Sequence, residues 1–352
     1  MLTNEDVIWA YRFYLDRDPE NNIVIEDHLS RSVNREMLIE RIMNSSEYQQ
    51  KKKTKQDLAK NPFWHYHTTF GAVEIILKYA KKQITASPLH VTNFLGVKIR
   101  PEFFPGLLDG CAGEVNPIPI PQTWHADMAE WASCLRAVDL SGDTFSMLEI
   151  GCGWGCWMNN LGMAAKSSGK TIKLYGIEAN LGHLDFARKA FADNEISEEE
   201  YVLSHGIAGN IQGEAWFPKI HSGVDWGGEA VFNPQPQQLD GLRESYQKVP
   251  IVDIRELIKN EKWLDFLHVD IQGAELSVLV DIYELICEKV RYVFIGTHSK
   301  QIEGGLFELF LQGNDWSLEM ERPAFFNLID GHPVVSVDGV QAYRNNKLVD
   351  KR

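Results

Sequence analysis

The chain has 352 residues and a formal net charge of −14, with 49 acidic side chains against 35 basic ones. Non-specific nucleic-acid binding depends on lysine and arginine releasing condensed counterions, so this balance argues against a DNA or RNA partner. At 44% hydrophobic and 24% charged residues the composition is that of an ordinary globular chain, and no apolar run is long enough to span a bilayer. Cys111, Cys134, Cys152, Cys156 and Cys287 make neither a disulfide ladder nor a zinc spacing. The start, Met1 to Asp6, lacks the apolar core of a signal peptide. A reduced, cytoplasmic setting is expected.

Residues 1–60 read as a small helical unit. Val7, Ala10, Tyr11 and Tyr14 share one helical face, and Asp18-Pro19 interrupts the pattern because proline lacks a donor and restricts its predecessor. Ile25–Leu29 and Met37–Met43 are two further amphipathic segments, the latter with Met37, Leu38, Ile42 and Met43 apolar. The basic run Lys51-Lys52-Lys53-Thr54-Lys55 suits a solvated helix end or linker. Residues 61–122 form a connector: a helix over Ala72–Lys82, a strand over Val91–Ile99, then an irregular Pro/Gly-rich loop. His65 and His67 lack the companions that a metal site needs.

From residue 123 to the end, helices and strands alternate. A helix over Ala126–Val138 leads into a strand ending at Ile150. Further strands are expected at Ile172–Ile177, Tyr201–Ser204, Leu264–Val269 and Val290–Ile295. Helices are expected at Met158–Lys166, Leu184–Asp193, Ile254–Lys259, Glu275–Glu288 and Gly304–Gly313. Such alternation predicts an α/β fold with a mostly parallel sheet covered on both faces. Trp316–Met320 and Pro333–Tyr343, broken at Asp338-Gly339, read as antiparallel closing strands.

The chemistry concentrates at Met147–Trp157, where a buried strand runs into acidic-x-Gly-x-Gly-x-Gly. A dinucleotide loop needs a third glycine where Cys156 stands, and no Lys-Ser/Thr pair makes a phosphate loop. What fits is a ligand carrying an amino acid and a nucleoside but no phosphate, as S-adenosylmethionine does. Glu149, Gly151, Cys152, Gly153 and Trp154 are the candidate cradle, the two cysteines reading equally as small packing residues. At the end of the next strand Glu178, with Ala179 and Asn180, can accept ribose hydroxyls or simply open a helix. Ser204, His205 and Gly206 leave room for an adenine edge.

Asp270 follows a buried apolar strand, where a carboxylate is costly without partners, and Glu275 opens the next helix. His298 stands just past the following strand. Trp124 and Trp226 are candidates for stacking on a sugar, Trp226 in a glycine-flanked, lid-like segment, although large rings also serve core packing.

These stretches, Glu149–Trp157, Tyr175–Asn180, Asn194, Val249–Asp253 and His268–Glu275, resemble the FkbM family of S-adenosylmethionine-dependent methyltransferases, in order and in spacing, over roughly residues 124–300. The resemblance implies a class I, Rossmann-like sheet with antiparallel C-terminal strands, and O-methylation of sugar or polyketide hydroxyls. It places Glu149, Gly151 and Gly153 at the methionine end of the donor, Glu178 at the ribose and Asp270 beside the methyl group. Ala179 stands where many members have proline. Gln272 stands where many have glutamate, which makes a bound metal less favoured. The N-terminal unit resembles, distantly, helical domains akin to phycobilisome linkers that are attached to bacterial surface-glycan enzymes. That implies docking to a glycan-assembly partner, with self-association left open.

The expected reaction is in-line methyl transfer to a hydroxyl of a sugar or glycan, a bacterial surface polysaccharide or its precursor. His298 is expected as general base and Asp270 as its orienting partner or the acceptor's. In a rival version a divalent cation on Asp270 acidifies the hydroxyl of a small-molecule acceptor. A nicotinamide-dependent sugar-modifying enzyme and a non-catalytic scaffold are the other readings.

Overall fold

The computed structural model describes residues 2–349 apart from 16, 52–60, 211–212, 221–223, 225, 233 and 235–242. The basic run beyond Lys51 and Asp225 of the expected lid therefore lie outside the described residues. The chain divides into two compact units, Met1–His65 and Tyr66–Arg352.

In the first unit, α1 (Asn4–Leu15), α2 (Asn22–Arg31) and α3 (Arg35–Met43) surround a small core of Val7, Ala10, Tyr11, Leu15, Ile25, Leu38 and Ile42. Asn21 and Asn34 start α2 and α3 by accepting the backbone N–H groups of Val24 and Met37, which satisfies donors that a helix start leaves free. Met37, expected on the apolar stripe, is exposed. It lies one residue, about 100° of helix, from Leu38.

The second unit contains the segment read above as a connector from Tyr66 onward, its first five residues, 61–65, falling in the first unit. It begins with β1 (His67–Thr68) and α4 (Ala72–Tyr79). Val91–Ile99 is not one strand but a hairpin of β2 (Val91–Thr92) and β3 (Lys98–Ile99). The reason is local: Asn93 Oδ1 accepts the N–H groups of Leu95 and Val97, a side-chain turn that competes with extension.

Then come α5 (Met128–Leu140), β4 (Thr144–Ile150), α6 (Cys156–Ser167), β5 (Thr171–Glu178), α7 (Leu181–Asp193) and β6 (Tyr201–His205). A small sheet of β7 (Ile207–Gly209), β8 (Gly213–Pro218) and β9 (Tyr246–Asp253) follows, in the order β7-β9-β8. After α8 (Ile254–Leu257) and β10 (Phe266–Val269), the expected helix over Glu275–Glu288 divides at Ile282 into α9 (Glu275–Asp281) and α10 (Tyr283–Lys289). Next are β11 (Tyr292–Thr297), α11 (Lys300–Leu311) and β12 (Trp316–Arg322). The expected second closing strand is two: β14 (His332–Val337) pairs with β13 (Phe325–Ile329) as a separate ribbon, and β15 (Gly339–Asn345) joins the main sheet.

The central sheet runs β1-β12-β15-β11-β10-β4-β5-β6, with β11, β10, β4, β5 and β6 parallel and β15 antiparallel to β11. This is the class I Rossmann-like fold. Every residue of β10 and β11, and all but the first of β4, is buried, as expected for strands covered on both faces.

One buried ion pair ties the edge of the sheet to α5. Asp127 caps α5 by accepting the N–H groups of Ala129 and Glu130, and its carboxylate lies 2.7 Å from Arg322 Nη2, with both side chains 2% exposed. Arg322→Met would leave that carboxylate without its cation, and unfolding in denaturant should show a loss of about 3–5 kcal/mol. A loss below 1 kcal/mol would show the pair to be dispensable.

Candidate active site

The C-terminal ends of β4, β5 and β10 open into a cavity of about 410 Å³, the position where open α/β sheets bind ligands. After Ile150 the chain turns at Gly151 and Gly153, whose φ angles are +75° and +53°. A Cβ on Gly151 would lie 2.5 Å from the carbonyl oxygen of Asp270, and one on Gly153 would lie 3.0 Å from the Trp226 ring. Backbone is therefore bare where the two loops meet.

Glu149 sits under this turn, 2% exposed, and accepts the N–H groups of Trp157 (3.3 Å) and Met158 (3.0 Å) at the start of α6. A carboxylate there completes the helix N-terminus. Burial pushes it up to about 8, against those two bonds. Glu149 thus shapes the loop from below. Glu178 accepts Gly153 N–H (2.9 Å) and Asn180 N–H (2.7 Å) on separate oxygens. His183 Nδ1 lies 3.4 Å from Oε1 as well, so Oε2 is the oxygen that keeps a lone pair for a ligand hydroxyl.

Of the residues singled out in the sequence, Glu149, Gly151, Cys152, Gly153, Trp154, Glu178, Ala179, Gly206, Asp270, Trp124 and Trp226 line this cavity. Asn180, Ser204, His205, Glu275 and His298 do not. The Asn180 side chain caps α7 through Gly182 N–H, and His205 Nε2 lies 3.0 Å from the Ala179 carbonyl. Trp226 stacks on His183 (4.0 Å) and Phe104 (4.9 Å), both in the cavity wall. Trp124 Nε1 donates to Asn116 Oδ1 (2.8 Å).

The expected acid–base pair, His298 and Asp270, is brought together. His298 lies behind Asp270, with Nε2 3.4 Å from Asp270 Oδ1 and Nδ1 donating to Glu275 Oε1 at 2.9 Å. Burial opposes its charge, but the Glu275 bond and the charges of Asp270, Glu275 and Asp338 outweigh burial and raise it to about 9. That direction disfavours the free imidazole that the expected general-base role of His298 needs. Its charge also supports the fold: this contribution is complete below pH about 6.5, the ordinary histidine value, and is lost as the pH rises through about 9.

Asp270 has the complementary position. Its side chain is 43% exposed toward the cavity, yet the surrounding walls desolvate it and raise it to about 6, against the pull of His298 and with Glu275 and Asp338 adding to the rise.

Asp270, Glu275 and His298 also place one ligand atom each within 4.8 Å of one another. Glu275 is fully buried and its two oxygens already accept Ile271 N–H, Gly273 N–H and His298, so a cation there would compete with these bonds and with the imidazole proton. Chelator is expected to leave activity unchanged, which a metal-stripped assay checks directly.

Trp157, a further stacking candidate from the glycine-loop motif, also lines the cavity, whereas Phe104, His125, Glu130, His183 and His268 carried no sequence signal of their own. His268 lies in a quoted motif, and its period-two position opposite Glu149 in β4 and Phe294 in β11 was the available clue. Among the described residues no lysine or arginine lines the cavity.

No protein-family model matches the chain. A protein of Jannaschia sp. (strain CCS1), provisionally named a methyltransferase, is 40% identical over 264 residues, covering 74% of this chain and 94% of its own length. Among solved structures, the methyltransferase FkbM from Methylobacillus flagellatus KT is similar at 16% identity and a TM-score of 0.39, covering 57% of this chain and 44% of that one. An O-methyltransferase from Bacillus cereus in complex with SAH is similar at 14% identity and a TM-score of 0.34, covering 62% and 80%. The sheet order defines the class I methyltransferase fold. By its relationship to the Jannaschia protein over nearly that protein's whole length, the chain belongs to this methyltransferase family.

Proposed function

We propose that the protein transfers a methyl group from S-adenosylmethionine to a hydroxyl of a sugar or glycan, with Asp270 as the proton acceptor. The observation that supports this most is the meeting of bare glycine backbone, the Glu178 carboxylate and the Asp270 carboxylate in one cavity that, among the described residues, no lysine or arginine lines. Such a lining fits a cationic sulfonium donor with no phosphate. Gly151 and Gly153 would admit the amino-acid end and Glu178 the ribose hydroxyls. Bound there, the donor supplies an electrophilic methyl group.

A sugar hydroxyl is a poor nucleophile at neutral pH and needs a base as its new bond forms. With a value near 6, Asp270 is ionised at pH 7 and still basic enough to help. As the acceptor oxygen bonds to the methyl carbon, its proton passes to Asp270 and the carbon–sulfur electron pair stays on sulfur. His298, charged and fixed by Glu275, holds Asp270 in place and keeps it anionic. The role of the N-terminal helical unit in docking a glycan-assembly partner is part of the same proposal.

Two measurements test the reading. Calorimetry should show S-adenosylhomocysteine binding and none by nicotinamide dinucleotides; the reverse result would end it. The pH profile of kcat/KM for the methyl donor should rise about tenfold per pH unit below about 6 and level off above, because the carboxylate must lose its proton to act. A flat profile between pH 5 and 7 removes Asp270 from the role.

A further inference from the structure

Among the polar side chains of the cavity wall, His268, His125 and Glu130 have no part in the methyl-transfer roles above. His268 is 2% exposed and neither ring nitrogen has a hydrogen-bond partner among the described residues. Phe294 stacks on its ring at 4.8 Å. His125 has Nε2 at 2.6 Å from Cys156 Sγ, while its buried Nδ1 has no partner. The Trp157 ring lies 5.5 Å from each imidazole, so both flank one indole. Glu130, the third, has Arg322 Nη2 3.9 Å from its carboxylate.

Burial disfavours the charged form of each. Burial lowers His268 to about 3 and His125 to about 4. Burial and the neighbouring Asp127 push Glu130 well up, against the influence of Arg322. Buried polar atoms are nearly always paired in native proteins, and orphaned ones in a cavity wall mark where a ligand supplies the partner. A neutral imidazole offers one donor and one acceptor, and so does a protonated carboxyl; a sugar hydroxyl matches both. An anion finds no cation here, since no lysine or arginine lines the cavity among the described residues while Glu178 and Asp270 do.

We propose that His268, His125 and Glu130 form a neutral hydrogen-bonding subsite for an uncharged, hydroxyl-bearing acceptor, so that the sugar is methylated as a glycoside and not as a phosphate- or nucleoside diphosphate-linked precursor. This rests on the methyl-transfer reading above and adds the state in which the acceptor arrives.

The test is labelled-methyl transfer by the full chain to neutral methyl hexosides and 6-deoxyhexosides, set against the matching hexose 1-phosphates and nucleoside diphosphate hexoses. At least one neutral glycoside should show a kcat/KM ten or more times that of its phosphorylated counterparts. His268→Phe should raise the glycoside KM at least tenfold while S-adenosylhomocysteine affinity stays within twofold. His268→Gln, which keeps a donor and an acceptor, should recover part of the loss. Equal or better use of phosphorylated acceptors, no transfer to any neutral glycoside, or a His268→Phe defect that falls on S-adenosylhomocysteine affinity would each overturn the subsite. Calorimetry on the wild type separates the two levels. No S-adenosylhomocysteine binding sinks methyl transfer itself, whereas binding with an anionic preference sinks only the subsite. The wild-type comparison decides the matter even if the variants fail to fold.

Discussion

Asp270→Asn is expected to lower kcat by a factor of about 10² to 10⁴, the usual range for loss of a positioned general base. The amide keeps the carboxylate's shape but cannot hold the proton, so S-adenosylhomocysteine affinity should change far less than turnover. A variant that keeps more than a tenth of wild-type kcat would show that the hydroxyl proton goes elsewhere. His298→Ala should behave differently, because His298 acts through its neighbour. The imidazolium holds Asp270 below where burial and the nearby acids would otherwise put it. Removing it should move the acid limb of the pH profile upward, above pH 6. An unmoved limb would separate His298 from Asp270 altogether.

The second large effect belongs to Gly151→Ala. The backbone there has φ of +75°, and a new methyl group would meet the Asp270 carbonyl oxygen at 2.5 Å and Ile271 Cγ2 at 2.9 Å. Neither neighbour is the free end of a flexible side chain. The strained conformation alone costs about 1–3 kcal/mol, and relief of the clash must move the segment that carries Asp270. Denaturant unfolding should show a loss of at least about 2 kcal/mol, and S-adenosylhomocysteine binding and turnover should fall together. A stable variant with normal binding would mean that the two loops separate freely in solution.

The elements around the site were legible because they are built from local rules. β4, β5, β10 and β11 are apolar runs bounded by turn residues, and each was placed to within about two residues at its ends, the ordinary uncertainty of helix and strand limits. The glycine loop and Glu178 were found by spacing, since bare backbone and a carboxylate at a strand end are demands written in a few consecutive residues. Where the reading failed, a side chain overrode a pattern. Asn93 turned an apolar run into a hairpin, while the break expected at Asp338-Gly339 is present but its first half, β14, pairs with β13 as a separate ribbon and does not close the main sheet.

Order along the chain, the alternation of strands and helices, the phosphate-free loop and the candidate carboxylates were therefore determined by the sequence alone. Protonation and assembly were not. That Asp270 faces the cavity while His298 stands charged behind it depends on Glu275 and Asp338 converging from separate segments, and on burial, which no local pattern records. The same holds for His268, His125 and Glu130, which come from distant parts of the chain to one wall. Proton affinity depends on charge and solvent within a few ångströms in space, and only the folded chain sets those distances.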